Sequence, residues 1–285
     1  MAHTTSDGPT GHRAGAALPA SSAPVVILLG MAGGAWLITA RLATADMRLG
    51  VLTGASPMSM SGGMGAAGPM SMSLGTFIGI WTVMMVAMMA PSVVPAVKGL
   101  DAQARAADRP RGAPLLFVVG YLLVWSATGG AAYVIVQAIQ AWLPMGNPAA
   151  IRAGALLLIV AGVYQLTPLK LACLRHCQRS GKEMAPREIA PVQGSLGSLR
   201  IGLVHGVYCL GSSWPLMLVL LLLGMMNLAW MAAVAAVIFI EKVVPGGDVV
   251  GKVVGWVLVG AGIILIAAPH PLPALMSLST WLQPS

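Results

Sequence analysis

Charge is what this sequence has least of: 8% of its 285 residues are Asp, Glu, Lys or Arg, and only eight of them are acidic. A soluble domain carries about 25%, so an ordinary water-soluble fold is excluded. So few carboxylates also argue against an enzyme built on convergent acids in a substrate cleft. The three cysteines show no pairing pattern and make no disulfide framework. No Walker-type phosphate loop is present, so ATP is not a driver, and no inverted repeat of the transporter kind is visible.

What the chain does have is apolar length, with 57% hydrophobic residues. A helix needs about 20 apolar residues to cross a bilayer core. Such runs occur at Pro24–Ala43, Leu74–Val97, Pro114–Trp142, Pro148–Cys173, Leu199–Leu223, Asn227–Val244 and Gly251–Ala268. The stretch from Leu199 to Val244 is too long for one span and divides at "GMMN", Gly224 to Asn227. The expected fold class is therefore all-α: a polytopic transmembrane helix bundle of about seven helices.

Basic residues in short loops mark the cytoplasmic side. Only Arg41, Arg48 and Arg152 fall on one side, and the rest of the sixteen Lys and Arg fall on the other. This places the N-terminus in the cytoplasm and the protein in the inner (cell) membrane. It also accounts for the net charge of +8 as topology and attraction to anionic lipid, not nucleic-acid binding. "ATA" at Ala43 to Ala45 resembles a signal-peptide cleavage site, but the long apolar run with Arg41 near its end favours an uncleaved helix.

Residues 1–23, rich in small and turn-forming residues, are expected to be a disordered tail. The bundle occupies 24–270 and a short tail 271–285. Within the bundle, 56–73 forms an outer loop rich in Met, Gly and Ser, and 174–199 a basic cytoplasmic loop; 98–112 is expected to be a second inner connector. Small-xxx-small pairs, Gly30 with Gly34, Gly75 with Gly79, Gly202 with Gly206 and Gly251 with Gly255, mark places where helices approach closely in lipid.

Three stretches carry chemistry. In "CLRHC", Cys173, His176 and Cys177 stand at i, i+3 and i+4 and so share one helix face. Pro168, five residues before Cys173, is placed to kink the helix. The order C-x-x-H-C is not the C-x-x-C-H of covalent haem attachment. In "HGVYCLGSSW", His205, Cys209, Ser212 and Ser213 form one polar stripe. In "WTVMMVAMMAPS", Trp81, Met84, Met85 and Met88 share a face, Met89 adjoins it, and Pro91 is positioned to bend the helix.

Thioethers and thiolates suit copper as Cu(I). The outer-loop methionines Met58, Met60, Met64, Met70 and Met72, the Met-lined helix and the inner Cys/His cluster would then form a soft-ligand gradient across the membrane. Zinc and iron are the other candidate metals for the Cys/His set. Bland alternatives stand beside each feature: core packing for the methionines, palmitoylation or burial for Cys173 and Cys177, and a helix–helix hydrogen bond for His205. Glu241 and Lys242 read either as an interfacial anchor or as members of a site.

Together "WTVMMVAMMAPS", "YQLTPLKLACLRHC", "GLVHGVYCLGSSWPLM" and "GMMNLAWMAAVAAVIFIEKVVPGG" resemble the predicted metal-binding integral membrane proteins catalogued as domain of unknown function 2182. The resemblance runs from about Gly75 to Gly262 and implies metal binding without naming an ion or a reaction. Its pattern falls on Met84, Met88, Met89, Cys173, Cys177, Cys209 and Glu241. This chain departs from it at Ser212 and Ser213, where many members have a cysteine pair, and hydroxyls bind soft metals much more weakly.

The sequence thus favours a membrane protein that handles Cu(I), by binding or translocation, with Cys173, His176, Cys177, His205, Cys209, Met84, Met85, Met88, Met89 and Glu241 as candidate ligands. Its expected partners are the lipid bilayer, the metal ion, and a small soluble metallochaperone or a partner membrane subunit. The competing classes are a membrane metalloenzyme or redox protein and a non-catalytic scaffold for a soluble protein.

Overall fold

The structure, a computed structural model, describes residues 23–42, 73–106, 112–142, 148–182, 195–223 and 227–267. The expectations for the N-terminal tail, the methionine-rich loop at 56–72, residues 183–194 of the basic loop and the C-terminal tail lie outside these residues. Among the described residues the chain is all-helical, with α1 Ala23–Leu42, α2 Leu74–Ala106, α3 Ala113–Trp142, α4 Pro148–Gln165, α5 Pro168–Lys182, α6 Ser195–Leu223, α7 Leu228–Val243 and α8 Gly247–Ala267.

Five helices, α1, α2, α3, α6 and α8, are long and apolar enough to cross a membrane; the α4–α5 pair, bent by 61°, makes a sixth if taken as one span. The sequence suggests seven. The difference comes from α7, whose 16 residues reach about 24 Å at helical rise, short of a hydrocarbon core of about 30 Å. Its N-terminus is closed by Asn227, whose side chain accepts hydrogen bonds from the backbone N–H of Ala229 and Trp230. Three expected boundaries are corrected. The basic loop at 174–199 is helical at both ends, in α5 through Lys182 and in α6 from Ser195. The connector at 98–112 is helical through Ala106, as the end of a 33-residue α2 that contains Pro91 and Pro95. The single helix at Pro148–Cys173 is two helices.

That break is built locally. Proline at 168 has no N–H to donate back into α4, and α4 tightens at its end through Leu166 N to Val163 O and Thr167 N to Tyr164 O, both 3.0 Å. Thr167 then stands before Pro168 as a capping residue and proline takes the first helical position, where its missing donor matters least. The segment carrying "CLRHC" therefore leaves the direction of α4 and turns into the bundle.

Helices pack where glycine removes the Cβ. On α3 and α6, a Cβ at Gly202 would collide with Phe117 O, and one at Gly206 would lie 3.0 Å from the Val124 side chain. On α4 and α8, a Cβ at Gly162 would lie 2.6 Å from Gly255 O, and one at Gly262 would lie 2.7 Å from Ala155 O. Gly30, Gly34, Gly75 and Gly79, marked by the same spacing, meet nothing within 4 Å. Outward-facing residues such as Val253, Trp256, Val257 and Ile264 on α8 and Val26 and Leu37 on α1 are exposed, as a lipid-facing surface requires. The main buried cluster joins α1, α2, α3, α5, α6 and α7 and holds the candidate site.

Candidate metal centre

The site assembles where α5, α6 and α7 meet. Cys209, at the middle of α6, is 1% exposed, and its sulfur is the common contact of three other groups. The Lys242 ammonium donates to Cys209 Sγ at 2.8 Å. Tyr121 Oη from α3 lies 3.1 Å from the same sulfur. Cys177, brought in by the turn at Pro168, is its thiol neighbour. The thiols are free, with no disulfide between them.

Two prolines elsewhere in the site leave carbonyls without helical donors, and side chains from other helices supply them. Pro215 cannot donate to Gly211 O, one turn earlier in α6, and Tyr164 Oη does so at 2.8 Å. Pro245 cannot donate to Glu241 O, and Gln178 Nε2 does so at 2.7 Å. Since an unpaired carbonyl in hydrocarbon costs several kcal/mol, roughly, these bonds tie α4 and α5 to the elements that carry Cys209 and Lys242.

The chain leaves α7 through a tight turn. Pro245 and Gly246 hold its central positions, Gly246 has φ +79°, and Gly247 N bonds Val244 O at 3.1 Å. Proline followed by a positive-φ glycine suits a type II turn. The turn folds α8 back on α7 beside a buried ion pair: Lys170 Nζ meets Glu241 Oε1 at 2.8 Å, with side chains 3% and 1% exposed. A Cβ at Gly251 would strike both partners, so glycine there lets α8 lie over the pair.

The ten candidate ligands are distributed unevenly. Cys177 and Cys209 come together. Met84, Met85, Met88 and Met89 are all at most 2% exposed and belong to the same continuous cluster as both thiols. His205, one turn from Cys209, is 5% exposed; its ring faces Phe117 and Tyr121, and its Nδ1 has no hydrogen-bond partner among the described residues. Cys173 is half-buried and directed toward Gly211, where a Cβ would lie 2.9 Å from its sulfur. His176 stacks on Tyr208, centroids 3.7 Å apart. Glu241 is committed to Lys170. Among the described residues no three His, Cys, Asp or Glu side chains converge on one point.

The interfacial-anchor alternative for Glu241 and Lys242 is overturned, because both are buried. Adjacent residues on a helix do not face each other, and each has its own partner. Lys170 and Tyr121 are neighbours of the site that sequence reasoning passed over, whereas Lys242 was weighed as a site member. Lys170 counts as a loop cation in the charge tally, although it stands inside the apolar "PLKLAC", a signal that it is interior. Tyr121 carries no such signal. Ser212 and Ser213 donate to Cys209 O at 2.8 and 2.5 Å, back-bonding within the helix, and Ser212 also contacts Cys177.

Two thiols held together in a dry interior, with thioethers in the same cluster and an unpartnered imidazole nitrogen one turn away, are a donor set for a soft monovalent ion. A family model described as PpoB2, copper chaperone, matches residues 78–265. The chain belongs to this copper chaperone family. The match spans every helix of the site and names copper where the sequence resemblance implied only a metal. Neither the curated proteins nor the solved structures compared with the chain contain a match. The family relation and the apolar helices together make this a copper-related membrane protein.

Proposed function

We propose that this member of the copper chaperone family is an inner-membrane protein, with its N-terminus in the cytoplasm, that holds Cu(I) on Cys177 and Cys209 and passes it to a partner. The observation that carries the reading is the meeting of these two thiols, from separate helices, inside the buried cluster that contains Met84, Met85, Met88 and Met89. Thiolates bind Cu(I) more strongly than thioethers do, so the cysteines are the holding site and the methionines the approach to it. His205, through Nδ1, is the nearest reserve ligand. Cys173 and His176 flank the site, and Glu241 supports it through Lys170 without ligating. Met58, Met60, Met64, Met70 and Met72 would collect the ion at the outer face.

The test is copper content by mass spectrometry on detergent-purified protein from copper-supplied cells. The expected result is near-stoichiometric copper in the wild type, its loss in both Cys177→Ser and Cys209→Ser, and its retention in Cys173→Ser. Copper retained by the Cys177→Ser/Cys209→Ser double variant would sink the reading. Loss in Cys173→Ser as well would restore the "CLRHC" face as the ligand set.

A further inference from the structure

The buried charges around the thiols do not cancel. Lys170 and Glu241 neutralise each other, which leaves the Lys242 ammonium, 9% exposed, with the Cys209 sulfur as its direct contact. An ammonium has three donors and no acceptor, and a charge buried without a counter-charge is expensive. Lys242 also bounds a cavity of about 170 Å³, shared with Arg175, Gln178 and the turn from Val243 to Gly246. The site is therefore dry on the side of the methionines and open to water on the side of Lys242. The nearby Asp248 is engaged with Lys252 at 3.4 Å and does not balance Lys242.

We propose that Lys242 is the specificity-determining residue of this site, setting its charge so that a monovalent metal ion is accepted and a divalent one refused. The proposal rests on the dithiolate reading above. Metals bind cysteine as thiolate, with release of the thiol proton. Two thiolates contribute −2, Lys242 contributes +1, and one Cu⁺ brings the assembly to zero. A Zn²⁺ in the same place would leave a net +1 in the buried cluster, at a desolvation cost that the neutral Cu⁺ assembly avoids. Each S–H proton lost on binding passes to water in the cavity beside Lys242. The metal stays Cu(I) throughout, so no oxidant or reductant enters the balance.

The experiment compares wild type, Lys242→Leu, Lys242→Arg and the Cys177→Ser/Cys209→Ser double variant, purified in detergent. Each is loaded with equal Cu(I) and Zn(II) under reducing conditions and challenged with a water-soluble Cu(I) chelator. Thermal midpoints without metal are read in parallel. Lys242→Leu should release Cu(I) at a chelator concentration at least tenfold lower than wild type and bind with a lower copper-to-zinc ratio. Lys242→Arg, which keeps the charge, should hold both near the wild-type values. Leucine removes the charge without adding a sulfur ligand and strands no buried charge, so the metal-free midpoint of Lys242→Leu should not fall. A Lys242→Leu protein with the wild-type chelator response and copper-to-zinc ratio overturns the inference alone. A metal-free midpoint that falls together with an unchanged ratio also overturns it, as a packing role. A wild type that holds copper no better than the double-cysteine variant overturns the dithiolate reading and this inference with it.

Discussion

Glu241→Gln should be among the most damaging single substitutions in this chain, through folding and not through lost ligation. Its carboxylate is 1% exposed and 2.8 Å from Lys170 Nζ, itself 3% exposed. Two unit charges about 4 Å apart attract by about 4 kcal/mol at an effective dielectric of about 20. Removing one partner of a buried pair costs about 3–5 kcal/mol, because the other stays behind uncompensated. Lys170→Met should cost a similar amount for the same reason. The double variant Lys170→Met/Glu241→Gln strands no charge, so it should lose less than either single variant. The pair should therefore be strongly non-additive. The assay is reversible denaturation in mixed detergent micelles, with all four proteins at one pH and ionic strength, beside copper content of the folded fraction. Single-variant losses below about 1 kcal/mol, or a double variant that loses the sum of the two, would refute the structural role. Copper lost from a fully stable Glu241→Gln would instead return this carboxylate to the ligand set.

Gly202→Leu should separate α3 from α6, because even a Cβ at that position meets the carbonyl of Phe117; overpacking of this kind costs about 1–3 kcal/mol, read as a lowered thermal midpoint in detergent, and an unchanged midpoint would contradict the close crossing. Asn227→Ala removes the acceptor for Ala229 and Trp230 N–H and should destabilise by about 1 kcal/mol, with Asn227→Ser recovering most of the loss. Tyr164→Phe strips Gly211 O of the donor that replaces the missing one of Pro215; a loss of about 1–3 kcal/mol is expected, measured by the same denaturation, and a neutral result would mean that the carbonyl finds another donor.

The amino-acid sequence by itself settled the solvent and the class of secondary structure. Long apolar runs with 8% charge have no water-soluble solution, and backbone polar groups in hydrocarbon are satisfied within a helix or a closed barrel. Local signals were also legible: Pro168 marked a kink before "CLRHC", and "GMMN" marked the division between α6 and α7, because both effects act within one turn of chain. Periodicity correctly put Cys173 and Cys177 on one face of α5. It could not say which of them meets the Cys209 sulfur, since that depends on the 61° bend between α4 and α5 and on the docking of α5 against α6. Charge was misread for a related reason. Lys170 and Lys242 look like loop cations when counted along the chain, and only the folded bundle places a carboxylate beside one and a thiol beside the other. Spacing reports what shares a face, but the energy of a buried charge is set by what lies across from it, and that partner is 71 residues away for Lys170 and 33 for Lys242.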